Sequence, residues 1–232
     1  MSTHLSRTSR TSSTPQRTAA RPVPVGGSRR LQAAKRAMDI LLAGAFFLFL
    51  GWAYALIALG VLLTSGGPAI YVQPRYGRDG RIFRFYKFRT MAPNADALLA
   101  RHLRENDAAR REWEKFQKLE HDPRITRFGA FLRRYSIDEF PQFWNVLKGD
   151  MSMVGPRPCM FAQKELYGPY WAYYCAVRPG ITGLWQISGR NEVSYRRRAA
   201  MDAEYVATLS LLRDVVILLK TFRVVLGARG SR

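Results

Sequence analysis

Two adjacent acids, Asp138 and Glu139, stand in the stretch SIDEFPQFWNVLKGDMSMVGPRP, Ser136 to Pro158, of a chain whose formal charge is +20. Arg133 and Arg134 lie just upstream, and Arg157 is held between Pro156 and Pro158. One carboxylate of such a pair can attack phosphorus as a nucleophile. The other can hold a Mg2+ that bridges diphosphate oxygens, because Mg2+ takes one or two carboxylates and fills its shell with phosphate and water. An arginine with few conformations suits a phosphate, since its planar donors match the oxygens and little entropy is lost. Residue types and spacing therefore point to phosphoryl chemistry, without dividing the two roles between the acids. Alone, Asp138 would be a helix cap and Arg157 an exposed arginine in a proline-rich turn. Their company argues for a site.

The elements that must position these groups are partly legible. Pro141 lacks a backbone N–H and fits best in the first turn of a helix, which puts a helix start near Ile137 or Asp138. Ser136 and Glu139 have capping-box spacing, which moves that start slightly earlier. Unpaired N–H groups and the helix dipole there favour an ionised carboxylate and a phosphoryl group beside it. Successive residues on a helix point about 100° apart, so only one acid need face a substrate. Upstream, AIYVQPRYGRDGRIFRFYKFRTM reads as a hairpin with Asp79-Gly80 in its turn. With Ile82 to Thr90 extended, Lys87 and Arg89 project from one face. Residues 94 to 119 read as a charged, solvated helix, and Leu209 to Leu226 as a basic amphipathic helix suited to a membrane interface or to packing on the domain.

The 232 residues suffice for one catalytic domain with appendages, and 47% hydrophobic content excludes wholesale disorder. An excess of 37 Lys and Arg over 17 Asp and Glu demands an anionic partner: nucleic acid, a membrane surface or a phosphorylated substrate. With only Cys159 and Cys175, the chain is no disulfide scaffold, and reduced thiols facing the cytosol are expected. Residues 1–34 read as a disordered basic tail. Residues 35–66 read as a membrane helix whose apolar core, Ile40 to Leu63, is roughly 36 Å long against ~30 Å of hydrocarbon. Both flanks are basic, and the positive-inside tendency puts both in the cytoplasm. A re-entrant helix bending at Gly51 therefore competes with a straight span. Residues 67–232 form the expected catalytic domain. Walker A, GxSxG and zinc-ligand patterns are absent from the sequence, and His4, His102 and His121 are scattered. The expected fold class is mainly α with a small β-hairpin, anchored by an N-terminal re-entrant or spanning helix and by interfacial amphipathic helices. Nucleic acid is not an expected partner, because the membrane-length segment and the acid pair fit no nucleic-acid recognition surface.

The runs KRAMD, FYKFRTM, DPRITRFGAFLRRYSIDEFPQFWNVLKGDMSMVGPRP and RPGITGLWQISGRNEVSY, in that order, resemble the bacterial sugar transferase family, the monotopic polyprenyl-phosphate phosphoglycosyl transferases. The resemblance covers about residues 35 to 228 and is strongest to the exopolysaccharide-initiating undecaprenyl-phosphate galactose phosphotransferases. It implies transfer of a sugar 1-phosphate, from galactose or glucose, out of a UDP-sugar onto undecaprenyl phosphate, with release of UMP. It implies Asp138 as the nucleophile that becomes a covalent phosphosugar-aspartate, and Glu139 as the Mg2+ ligand. Lys87, Arg89, Arg133 and Arg157 are implied as substrate phosphate-binding residues. Membrane lipids are the remaining implied partners, a homodimer is allowed, and the place is the cytoplasmic face of a bacterial inner membrane. Many relatives break the membrane helix at Ser-Pro, where this chain has Gly51-Trp52. The rival within the same architecture is an inactive membrane scaffold, whose mark would be a lost acid or arginine, and none is lost.

Overall fold

A computed structural model of the chain describes residues 27–116, 119–188 and 193–226. Most of the expected basic tail and residues 189–192 of the RPGITGLWQISGRNE segment lie outside them. Helix α1 spans Arg29–Ser65 and so begins six residues before the expected boundary at Lys35. The cause is Ser28, whose side chain accepts a hydrogen bond from the Leu31 N–H at 3.2 Å and caps the first turn. The helix runs through Gly51 without a break in its helical assignment. No proline interrupts it there, and the Trp52 indole N–H donates to Phe49 O at 3.0 Å.

One stripe of α1, comprising Lys35, Asp39, Ala43, Phe46, Val61 and Ser65, is buried against the rest of the chain. Between Lys35 and Ser65 that stripe extends roughly 45 Å. The close contact near its C-terminal end depends on Gly60, where a Cβ would meet the Phe128 ring at 2.8 Å. The outward face, with Leu41, Leu48, Phe49, Trp52, Leu56, Leu59 and Leu63, is exposed. By length and composition α1 is apolar enough to cross a membrane.

Strands β1, Ile70–Tyr76, and β2, Ile82–Phe88, form the expected antiparallel hairpin. Asp79 and Gly80 take left-handed conformations in its connection. The single helix expected over 94–119 is two, α2 at Ala95–Glu105 and α3 at Asp107–Phe116. Asn106 breaks it: its backbone is extended, and its side-chain oxygen accepts from the Ala109 N–H at 3.0 Å, capping α3. Next come α4, Arg127–Arg134, a 3-10 turn at Ile137–Glu139, and α5, Gln142–Lys148. Strand β3, Ser152–Val154, follows. Short helices α6, Lys164–Tyr167, and α7, Trp171–Ala176, precede β4, Gly180–Thr182, which pairs parallel with β3 in a second small sheet that the sequence did not suggest. The chain closes with α8, Tyr195–Ala207, and α9, Leu211–Leu226.

The main core gathers Ala43 of α1, Phe85 of β2, Val146 of α5, Val154 of β3, Tyr205 of α8 and Ile217 of α9. Of the two expectations for the last helix, packing on the domain is met by one face. Asp214 and Ile217 of α9 are buried, while Leu212, Val216, Leu219 and Phe222 form an exposed apolar stripe. Cys159 and Cys175 are both free thiols.

Candidate active site

Three elements bring the site together. Strand β2 delivers Lys87, the turn after α4 delivers Asp138 and Glu139, and the loop after β3 delivers Arg157. Lys87 Nζ lies 3.3 Å from Asp138 Oδ2 and 2.9 Å from Glu139 Oε1. Arg157 Nη2 reaches the same Glu139 oxygen at 3.2 Å. The carboxylates are mostly enclosed, with side chains 11% and 17% exposed, whereas the Arg157 side chain is 41% exposed and keeps donors open to a ligand.

The acids do not open an α-helix. Ser136 adopts a left-handed backbone at φ 57 and makes no side-chain cap, so the capping box implied by its spacing to Glu139 does not form. The acids instead occupy a 3-10 turn, and Pro141 stands just before α5. A left-handed serine is a strained choice. Here it turns both carboxylates toward Lys87 rather than leaving Glu139 to cap its own helix.

The loop bearing Arg157 is fixed by backbone pairing. Gly155 N–H donates to Thr182 O at 2.9 Å, and Gly180 N–H to Pro156 O at 2.8 Å. The two chains pass so closely that a Cβ on Gly155 would lie 2.5 Å from Arg178 O. The VGPRP and RPGIT runs are thus one device, a glycine-to-glycine contact that holds the arginine. From β1, Arg75 Nη1 donates to Pro158 O at 3.2 Å, and Tyr76 N–H to Cys159 O at 3.1 Å.

Burial raises the pKa of Asp138; Lys87 opposes the rise and the charge of Glu139 adds to it. Burial would raise Glu139 as well, but Lys87 and then Arg157 outweigh it and hold that carboxyl well below the usual range, at about 2. Two neighbouring acids are therefore pushed apart: one more basic, one firmly anionic, a separation that commonly marks divided roles. Burial lowers Arg133 while Asp138 pulls it back up, so Arg133 belongs to the same electrostatic group. Its Nε donates to Thr90 Oγ1 at 2.8 Å.

Of the expected phosphate ligands, Lys87, Arg133 and Arg157 converge and Arg89 does not. Strand β2 ends at Phe88, and Arg89 Nε donates instead to Pro68 O at 2.8 Å, with the guanidinium over the Tyr71 ring. The alternation that put Arg89 on the face of Lys87 fails where strand pairing ends. A residue missed by sequence reasoning is Asn145, fully buried in α5. Its Nδ2 donates to Arg84 O at 2.6 Å and its Oδ1 accepts from Tyr86 N–H at 3.1 Å, which locks β2 to α5 and so Lys87 to the acids.

The donor set suits a magnesium ion that is completed by substrate. Among the described residues no cluster of three metal-ligating side chains occurs. A single anionic carboxylate beside phosphate oxygens is nevertheless an ordinary Mg2+ environment. Both hydrogen bonds to Glu139 end on Oε1, which leaves Oε2 for a cation.

The sequence profile described as bacterial sugar transferase matches residues 30–228. An uncharacterized sugar transferase of Haemophilus influenzae is 48% identical over 197 residues, 85% of this chain and 42% of that protein. The exopolysaccharide production protein ExoY of Rhizobium meliloti is 44% identical over 208 residues, 90% of each chain. The undecaprenyl-phosphate galactose phosphotransferase of Salmonella typhimurium is 51% identical over 167 residues, 72% of this chain and 35% of that protein. The chain thus spans less than half of two of these relatives and nine tenths of the third.

Proposed function

The chain belongs to the bacterial sugar transferase family, and from that premise we propose that it moves a hexose 1-phosphate, from galactose or glucose, out of a UDP-sugar onto undecaprenyl phosphate to begin exopolysaccharide synthesis. The observation that carries this is the convergence of Asp138, Glu139, Lys87 and Arg157 from three separate elements.

In the first step an Asp138 oxygen attacks the phosphorus bonded to the sugar. The bond to the bridging oxygen breaks, UMP departs with its electron pair, and a phosphosugar-aspartate remains. In the second step an oxygen of undecaprenyl phosphate attacks that phosphorus and Asp138 leaves as carboxylate. The raised pKa of Asp138 supports the nucleophilic role, since basicity and nucleophilicity rise together. A general base has little to do here, because a phosphate monoester with a second pKa of about 6 already presents an unprotonated oxygen at neutral pH. Lys87 and Arg157 bind phosphate oxygens and offset the charge that accumulates as the bridging bond breaks. Arg133, beside Asp138, adds a further cation. Glu139 holds Mg2+, which when bound neutralises diphosphate charge.

Membrane association belongs to the same proposal. The stripe of α1 packed on the domain from Lys35 to Ser65 supports a helix that lies in one leaflet rather than crossing with the domain outside. Its exposed face and the apolar stripe of α9 then enter the interface together, placing the site at headgroup level on the cytoplasmic face, where an acceptor phosphate resides. The test is UMP release by purified protein in detergent with Mg2+, a panel of UDP-sugars and undecaprenyl phosphate. Release dependent on the polyprenyl phosphate and on one or two UDP-hexoses supports the assignment; silence with every donor, from folded protein, overturns it.

A further inference from the structure

At the far end of α5 from the acid pair, a cleft lies between the start of α1 and the tip of the β1–β2 hairpin. Its polar lining is Gln32, Lys35, Arg36 and Asp39 of α1, Arg78 of the hairpin connection, Ser152 and Arg178. The cleft is small, about 30 Å3, and partly open to solvent, a size that admits a few water-sized groups such as the oxygens of a phosphate.

The charge in this cleft is unbalanced. Lys35 is committed to Asp214 at 2.6 Å, and Asp39 Oδ1 accepts from Ser152 Oγ and Met153 N–H. Three guanidiniums remain. Arg36 donates to Val146 O at 2.6 Å and Leu147 O at 2.8 Å, and Arg178 Nε to Gly149 O at 2.8 Å, so both serve the C-terminal end of α5. Arg78 has no such task. Its Nε has no hydrogen-bond partner and pairs only loosely, at 3.8 Å, with the exposed Asp79, while the side chain itself is 37% exposed. Burial, then Arg36 and Arg78, lower the pKa of Arg178, and Asp39 and Asp79 offset only part of the fall. Three guanidiniums against Asp39 and the loosely paired Asp79 leave an excess of positive charge for a further anion.

We propose that this cleft is a second phosphate-binding site, separate from the catalytic pair, and that the headgroup of an anionic lipid fills it. The choice of a lipid rests on the membrane placement proposed above. Gln32, Lys35 and Arg36 directly precede the apolar residues that begin at Ile40, so a helix with those residues in the leaflet holds the cleft at headgroup height. A soluble phosphate offers the same oxygens, and only experiment separates the two sources.

Arg78→Gln is the informative variant, because Arg78 alone of the three arginines supports no helix end; Arg78→Lys keeps the charge. The full chain, in a neutral detergent, is examined by native mass spectrometry with phosphatidylglycerol and with phosphatidylcholine, and its melting is followed with each lipid and with glycerol phosphate. The wild type is expected to retain one phosphatidylglycerol under conditions that strip phosphatidylcholine. Arg78→Gln should lower that retention about tenfold, the scale of one charge-assisted contact, and Arg78→Lys should largely restore it. Equal retention by wild type and Arg78→Gln, or no preference for phosphatidylglycerol, overturns the proposal. Stabilisation by glycerol phosphate alone keeps a phosphate site and overturns the lipid as its source. Flotation with vesicles separates the premises: if the wild type does not float, the membrane placement fails. If both proteins float but retain lipid alike, only this site fails.

Discussion

Replacing Lys35 by Met should cost more stability than any surface charge on this protein. Lys35 Nζ lies 2.6 Å from Asp214 Oδ2 and donates to Val154 O at 2.9 Å, while Tyr205 donates its hydroxyl to Asp214 Oδ1 at 2.7 Å. Asp214 is fully buried. Without the ammonium, a carboxylate is left in the core with one hydroxyl donor, a loss of about 3–5 kcal/mol. At about 2–4 °C per kcal/mol for a chain of this size, the melting temperature should fall by roughly 6–20 °C. The double variant Lys35→Met with Asp214→Leu removes the charge along with its partner and should recover most of that loss, because a buried pair can be replaced by apolar groups nearly without cost. The assay is thermal unfolding in neutral detergent by circular dichroism, for the two single variants and the double. A Lys35→Met protein melting within about 2 °C of the wild type would refute the reasoning, as would a double variant no better than the worse single.

Further outcomes follow from the acid pair. Asp138→Asn should reduce transfer by roughly 10^3-fold or more while the melting temperature holds or rises, measured by UMP release and calorimetry. The sign follows from linkage: an acid whose pKa is raised on folding weakens the fold when ionised, a cost that is absent below its unfolded pKa of about 3.9 and grows as pH rises through the folded value. The same raised pKa should place the acid limb of the kcat profile above that of an ordinary carboxylate. Lys87→Met should push the limb higher still, since Lys87 is the strongest influence holding Asp138 down; a limb that stays put or moves lower counts against that coupling. Glu139→Gln should raise the Mg2+ concentration for half-maximal activity about tenfold or more, and an unchanged titration would remove it as the ligand.

What the sequence made legible was local. The acid pair, the arginine between two prolines and the membrane-length apolar run each announce themselves through residue type and spacing, and the hairpin through Asp79-Gly80. What stayed hidden depends on partners distant in the chain. Lys35 and Asp39 look like basic and acidic flanks of an apolar helix, yet they reach Asp214, Val154 and Ser152 across more than a hundred residues. Asn145 resembles any polar residue of a short helix, and only the folded hairpin shows that it holds Lys87 in place. Local rules also failed where a second local preference won. Ser136 gave up its cap to turn the acids toward β2, Asn106 split a helix that composition made continuous, and Arg89 lay one residue past the end of its strand.

The most direct measurement is made without acceptor. Purified protein is mixed with Mg2+ and each UDP-hexose, its intact mass is recorded, any adduct is mapped to a peptide and UMP is quantified. A hexose-phosphate adduct on the peptide containing Asp138, with stoichiometric UMP, is the predicted result, and it names the donor sugar as well. No adduct, with UMP appearing only once undecaprenyl phosphate is supplied, would contradict the covalent route and leave Asp138 to act in a direct transfer.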